Sequence, residues 1–296
     1  MISIIGTGRV GSAIGFLTAA TSLDDVVLVN RNKNKAMGEA LDIANTIPKN
    51  SSISITGTDD FEQISGSKVI VITTGAGKIV TDRSDLIPYT VPIIREISKK
   101  IAKYADDAKI VVVTNPVDVI TYCLLQETGI SPKNVIGMGS SLDSDRFRYV
   151  LSKVLNTDQS KIESLVLGEH GNSMVPIFSQ VKFDGKPVNL NENQMTNITN
   201  DVRNYWKPLT DLKGASVFGA TKHSYDIMRA IIKNEKLQIP SSVMVRGEYD
   251  ISDICIGVPV SIDATGASVE KIDLDKNELD SLKISADVIK NNIKKI

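Results

Sequence analysis

Short apolar runs alternate with longer amphipathic stretches through the first half of the chain. Ile2–Ile5 predicts a buried strand, and Val10–Ala20 a helix with small and apolar residues on one face. Val26–Val29 predicts a second strand and Ala36–Ala44 a second helix. Ile53–Ile55 alternates apolar with polar, as an exposed strand does. Val69–Thr73 and Ile110–Thr114 are β-branched runs suited to strands covered on both faces. A long helical pattern over Ser84–Tyr104 lies between them, and Val135–Met138 closes the series. Strands that alternate with helices need right-handed crossovers, so the expected fold class is α/β with a doubly wound parallel sheet.

Past Gly139 the pattern changes. A helix is expected from Ser141 towards Leu155, a strand over Ile162–Leu167, and two short strands, Val181–Asp184 and Lys186–Val188, about a turn at Asp184-Gly185. Helices are expected near Asn193–Trp206 and Ser216–Asn234, antiparallel strands over Met244–Tyr249 and Ile254–Ile262, and a terminal helix over Glu278–Ile293. The chain therefore divides into residues 1–139, a parallel α/β unit, and residues 140–296, an α+β unit. No repeat or low-complexity segment interrupts either.

Composition narrows the functional classes. With 42% hydrophobic and 23% charged residues, the 296-residue chain suits a soluble globular protein large enough for two domains. A formal net charge of -1 gives no field to hold nucleic acid or an anionic membrane. An anionic ligand must then be held by individual arginines and helix ends. The two cysteines, Cys123 and Cys255, form no C-x-x-C pair. A disulfide framework or a metal site is therefore not expected, and both read as buried thiols. The N-terminus lacks a basic leader pattern, and no apolar run approaches the roughly 20 residues that cross a bilayer. The expected location is cytoplasmic.

The first chemical signal is Gly6-Thr7-Gly8-Arg9-Val10-Gly11, a G-x-G-x-x-G run directly after a strand and opening a helix. Gly6 permits the tight turn, Gly8 leaves room for a pyrophosphate, and Gly11 lets the helix pack closely on the sheet. The helix N-terminus offers N–H groups and a positive dipole end to phosphates. The next strand ends about 20 residues later, as the Rossmann fingerprint requires. The residue there is Asn30, followed by Arg31. An acidic residue at that place would bind the adenosine ribose and repel a 2′-phosphate. Asn30 carries no charge, and Arg31 could pair with that phosphate, helped by Arg9 or Lys33. NADP is therefore expected to be favoured over NAD, with both accepted.

The second signal is His170, in Gly168-Glu169-His170-Gly171-Asn172-Ser173, where a strand ends. Histidine passes protons near neutral pH better than any other side chain. Asp143 and Arg146 lie three apart at a helix start, so both can point to one side. Asp143 could orient the imidazole and favour its protonated form. Arg146 could grip a carboxylate with two parallel hydrogen bonds, or the two could form only an intrahelical salt bridge. Asn115, in Thr114-Asn115-Pro116-Val117-Asp118, follows a strand at the carboxyl edge where such sheets bind ligands. Arg83 follows Thr73–Gly75 in a loop placed to act as a lid. His223 reads as an exposed helix residue. Trp206 and the tyrosines read as core or interface.

Together these stretches resemble the lactate/malate dehydrogenase family over essentially the whole chain. Gly139-Ser140-Ser141-Leu142-Asp143-Ser144-Asp145-Arg146-Phe147-Arg148-Tyr149, Leu167-Gly168-Glu169-His170-Gly171, Gly247-Glu248-Tyr249 and Gly257-Val258-Pro259 are similar to its lactate-dehydrogenase-like branch of malate dehydrogenases. The resemblance implies hydride transfer between NAD(P) and a small 2-hydroxy or 2-keto acid. His170 would be the acid/base and Asp143 its partner. Arg83 would polarise the reacting carbonyl, Arg146 would bind the carboxylate, and Asn115 would position substrate and nicotinamide. Ser216 would adjoin the substrate pocket, and Val10, Thr74 and Gly75 the cofactor. A homodimer or homotetramer is expected by the same analogy.

The chain departs from the family pattern at three places. Asn30 replaces the usual acidic residue, and Asn172 stands where aspartate usually follows His-Gly. The loop over residues 75–83 is one residue shorter and lacks the extra arginine that recognises a second carboxylate. Lys78 is the only other cation in that loop, so oxaloacetate/malate is expected first and pyruvate/lactate second. Two other readings compete. A redox sensor that binds a dinucleotide without turnover would be free to lose one of the five site residues, and all are present. An NAD-dependent glycosidase would want metal-binding cysteine and histidine, which are too few.

Overall fold

The computed structural model describes residues 1–296 except Ala76, Lys78, Ile79 and Thr81. In the first half, β1 (Ile2–Ile5), α1 (Arg9–Ala20), β2 (Val26–Val29), α2 (Lys33–Ala44), β3 (Ile55–Thr58), β4 (Val69–Ile72), α3 (Ile87–Tyr104), β5 (Lys109–Val112), α4 (Val117–Thr128) and β6 (Val135–Gly137) follow in turn. The second half holds α5 (Ser140–Val154), the short strands β7 (Ile162–Glu163), β8 (Val166–Leu167), β9 (Val175–Pro176), β10 (Lys182–Phe183) and β11 (Lys186–Pro187), then α6 (Glu192–Asn204), α7 (Trp206–Lys213) and α8 (Phe218–Lys233). It ends with β12 (Leu237–Arg246), β13 (Ser252–Asp263), β14 (Gly266–Val269) and α9 (Lys276–Ile293).

One nine-stranded sheet runs in the order β14-β13-β12-β6-β5-β4-β1-β2-β3. The six strands from the first half are parallel, as their β-branched runs predict. Successive residues of these strands feed two separate cores. Ile70, Ile72, Ile110 and Val112 pack with Ile94 and Ile101 of α3 and Leu124 of α4 on one face. Ile4, Leu28, Val71 and Val111 pack with Ile14 of α1 and Ile227 of α8 on the other. Period-2 side-chain alternation within a fully buried strand requires this two-sided cover.

The second half does not build a separate sheet as its principal layer. Antiparallel β12 joins β6 at Ser242 opposite Gly137, and β13 and β14 extend the same sheet. A Cβ on Gly137 would stand 2.8 Å from that of Ser242, so the junction needs the glycine. Several boundaries move from expectation. β12 starts at Leu237 rather than Met244, because Pro240 and two serines hide a strand that pairs Pro240 with Pro259. Ile162–Leu167 is two strands, β7 pairing with β10 and β8 with β9. The helix from Asn193 ends at Asn204, with α7 following it. The pattern over Ser84–Tyr104 opens with a 3₁₀ turn, Arg83–Leu86, before α3. β3 lies two residues or so later than Ile53–Ile55, with Gly57 beneath the Ala36 carbonyl of α2.

Both cysteines are buried, and burial pushes the Cys123 thiol up to about 11. Among the described residues no helix is long and apolar enough to cross a membrane.

Candidate active site

β2 and β4 flank β1, so the crossovers leave β1 in opposite directions and open a crevice at its carboxyl end. Gly6 turns there with φ +106°, a conformation that favours glycine. A Cβ on Gly11 would lie 1.9 Å from the Gly6 carbonyl oxygen, whereas a Cβ on Gly8 would meet nothing within 4 Å. The space over Gly8 is thus open to a ligand. No side chain caps α1, so its first-turn N–H groups remain for an anion. Thr73 Oγ1 donates to the Gly6 carbonyl at 2.8 Å and Thr74 Oγ1 to that of Ile5 at 3.1 Å. Thr114 Oγ1 reaches the Thr74 carbonyl at 2.8 Å. These hydroxyls knit the ends of β1, β4 and β5 into one rim. Gly75 and Asn115 line a small cavity of about 170 Å³ beside it. The cradle fits the pyrophosphate of a dinucleotide.

Asn30 is turned into the fold. Its amide donates to Thr7 Oγ1 at 2.7 Å, and its side-chain oxygen accepts the Asn32 N–H at 2.9 Å. Arg31 is exposed. Arg9, expected as a helper beside Arg31, instead reaches the C-terminal half and donates to the Lys213 carbonyl at 3.1 Å.

His170 sits between β8 and β9 in a loop held to β13 by paired backbone hydrogen bonds between Gly168 and Gly257. Its Nδ1 is 2.5 Å from Asp143 Oδ2, and Asp143 Oδ1 accepts from Arg146 Nη1 at 3.1 Å. The spacing of three along α5 therefore does both things weighed from sequence. It makes an ion pair, and it aims both side chains at one cavity. Arg146 also stacks over Tyr205, its guanidinium carbon 5.6 Å from the ring centre. Arg83 Nη1 donates to the His170 carbonyl at 2.6 Å. A guanidinium has five N–H donors, so Arg83 keeps others for a ligand.

Charge and burial set the protonation states. Burial would raise the Asp143 carboxyl, but His170, Arg146 and Arg83 hold it below the ordinary carboxylate range. Burial lowers His170 below its usual value, and the Arg83 cation adds to that, with Asp143 opposing both. Asp143 thus favours the protonated imidazole, as expected, but burial and Arg83 outweigh it. Burial depresses Arg83 as well, against Asp143, from a value high enough to leave it cationic.

His170, Arg83, Arg146, Asn115 and Ser216 meet around one cavity of about 300 Å³, whose wall also includes Val10 of the cradle helix. The side-chain oxygen of Asn115 is buried and has no hydrogen-bond partner among the described residues, which suits an acceptor awaiting a ligand. Asn172 lines the same cavity. Lys78 lies outside the described residues. Trp206, read as core or interface, is a wall of the cavity instead.

Two residues were missed or misplaced. Asp118, in the first turn of α4, is buried and accepts the His170 N–H at 2.8 Å. His223 is buried rather than exposed, with Nε2 3.1 Å from Asp145 Oδ2, because α8 packs across α5. Neither partnership has a short-range sequence signal. Among the described residues no cluster of histidine, cysteine and carboxylates could hold a metal.

Residues 1–137 match the model of the lactate/malate dehydrogenase NAD-binding domain, and residues 140–296 that of the lactate/malate dehydrogenase α/β C-terminal domain. The chain belongs to the lactate/malate dehydrogenase family. It is 34% identical to a malate dehydrogenase of Staphylococcus saprophyticus, over 97% of this chain and 95% of that one. It is 36% identical to an L-2-hydroxycarboxylate dehydrogenase (NAD(P)(+)) of Methanocaldococcus jannaschii, over 98% of this chain and 96% of that one. The lactate dehydrogenase of Cryptosporidium parvum, solved with lactic acid and nicotinamide adenine dinucleotide, superposes with a TM-score of 0.95 at 30% identity, covering 99% of this chain and 96% of that one. The family transfers hydride to and from 2-hydroxy acids, and the protein is an oxidoreductase of that kind.

Proposed function

We propose that the protein is an NAD(P)-dependent malate dehydrogenase in which His170 exchanges the proton of the C2 oxygen. The observation that carries this is the chain Arg146–Asp143–His170, linked at 3.1 and 2.5 Å inside the cavity that also holds Arg83 and Asn115. With its pyrophosphate held at the Gly6–Gly11 cradle, the dinucleotide would supply or take the hydride through its nicotinamide. In reduction, the substrate oxygen gains negative charge as its carbon gains hydride. Arg83 stabilises that charge, and protonated His170 delivers a proton through Nε2 to leave a hydroxyl. Asp143 holds Nδ1, so the ring keeps one orientation and Nε2 faces the cavity. The free part of the Arg146 fork fits a carboxylate. Oxaloacetate is preferred over pyruvate because Lys78 adds a second cation to the loop that carries Arg83.

Cofactor preference follows from Asn30. The carboxylate that would repel a 2′-phosphate is missing, and Arg31 lies exposed beside the gap. We therefore infer dual use with NADPH favoured. The experiment is kcat/KM for oxaloacetate and pyruvate with NADH and NADPH, in the parent and in Asn30→Asp. Oxaloacetate with NADPH should be best. A charge-assisted hydrogen bond of about 1.5–3 kcal/mol implies a cofactor preference on the order of 10-fold or more. Asn30→Asp should reverse it by restoring the repulsion. Equal rates with both keto acids would reject the substrate, and an unaltered cofactor ratio would reject the role of residue 30.

We also infer a homo-oligomer. α1 packs against α2 and α8, and these helices expose Phe16, Met37, Leu41 and Phe218, apolar side chains that a partner copy would cover. A monomer by light scattering at working concentration would reject this.

A further inference from the structure

Every polar group of His170 outside Nε2 is held by a charged residue from a different part of the fold. Asp143 of α5 takes Nδ1, Arg83 of the 3₁₀ turn takes the carbonyl, and Asp118 of α4 takes the N–H. The segment has no regular secondary structure of its own and depends on contacts with other elements. Gly168 and Gly171 flank it, Gly168 has φ +86°, and no regular element spans residues 168–174. Such a loop places a side chain accurately only if its backbone is pinned.

Asp118 is an expensive pin. It is 3% exposed, and its Oδ1 has no hydrogen bond among the described residues. Burial pushes its carboxyl up to about 7, although the nearby Ser242 hydroxyl and the His170 N–H offset part of that. A well-packed neutral residue would cost less stability at such a position. What its side-chain oxygen does is join two chain segments 52 residues apart. One is His170. The other is the start of α4, which follows Asn115 and Pro116 directly. Asn115 faces the same cavity as His170.

We propose that Asp118 is a positioning residue, which fixes the distance between His170 and Asn115 by accepting the His170 N–H from the first turn of α4. It touches neither substrate nor cofactor. The inference rests on the reading of His170 as the proton carrier. It predicts that an acceptor at this place, rather than a charge, is what turnover needs. Asparagine keeps the acceptor oxygen at the same reach, and alanine removes it.

Asp118→Ala should lower kcat by about 10- to 100-fold, the size expected when a reacting group is misplaced by an ångström or so. NADH and NADPH affinity, read by fluorescence titration, should stay at the parent value because the cradle is untouched. Asp118→Asn should recover most of the lost kcat. Asp118→Thr, whose hydroxyl falls short of the His170 N–H, should behave like alanine and serves where alanine lowers Tm below the assay temperature. Parent-like kcat in the alanine or threonine variant would overturn the proposal. So would asparagine as slow as alanine with Tm intact, since the charge would then be what matters. His170→Asn assayed in parallel separates the two readings. If it abolishes turnover while the Asp118 variants keep theirs, only the positioning role fails. If it retains turnover, both fail.

Discussion

Replacing His170 with asparagine is expected to lower turnover by about 10²–10⁴-fold, the usual contribution of a positioned general acid or base, while the dinucleotide still binds. The imidazole is 6% exposed, and its Nδ1 is committed to Asp143 at 2.5 Å. Only Nε2 is left to exchange a proton with the cavity. Asparagine is close in shape and can still hydrogen-bond Asp143, but it cannot carry a proton at neutral pH. The pH profile gives an independent check. Burial and Arg83 set His170 below its ordinary 6.5. Reduction needs the protonated ring, so kcat/KM for the keto acid should fall as pH rises through a midpoint below that value. Oxidation of the hydroxy acid needs the neutral ring and should rise through the same midpoint. Asp143→Asn removes the principal influence that raises the midpoint and should move it lower still. Turnover near the parent value in His170→Asn, or a profile that ignores Asp143→Asn, would remove His170 from the chemistry.

What the sequence displays and what it hides divide along physical lines. The first half was legible because its signals are local. β-Branched runs must be covered on both faces, and Gly6, Gly8 and Gly11 have separate steric duties within six residues. Asp143 and Arg146 were legible because a spacing of three fixes their common side on a helix. His170 stood out between glycines where a strand ends. Asp118 had no role in the sequence reading, because a carboxylate in the first turn of a helix is ordinary. Its real partner is a backbone N–H, which carries no residue identity to search for. His223 followed a lysine on an amphipathic helix and read as solvent-exposed, yet the packing of α8 on α5 buries it against Asp145. β12 was half hidden because Pro240 argues against a strand interior until Pro259 is seen opposite it. In each miss, the deciding contact lies far away along the chain.

Arg146→Lys should raise the KM for the keto acid sharply while leaving cofactor affinity unchanged. Arg146 is 6% exposed, lies over Tyr205, and spends Nη1 on Asp143 at 3.1 Å. Arg146 lines the cavity, and the rest of its planar fork would offer one carboxylate two parallel donors. Lysine keeps the positive charge that offsets buried Asp143, so the fold should survive. An alanine would leave that carboxylate short of a partner and would confound recognition with stability. What lysine cannot reproduce is the fork, since three donors around a single nitrogen meet a carboxylate at one point. Losing one hydrogen bond to a charged group costs about 1.5–3 kcal/mol. At about 1.4 kcal/mol per tenfold, kcat/KM should drop by roughly 10- to 150-fold. Steady-state kinetics with oxaloacetate, alongside direct NADH titration, makes the comparison. An unchanged KM would mean that Arg146 serves only its ion pair with Asp143, and the carboxylate-binding role would have to pass to Arg83.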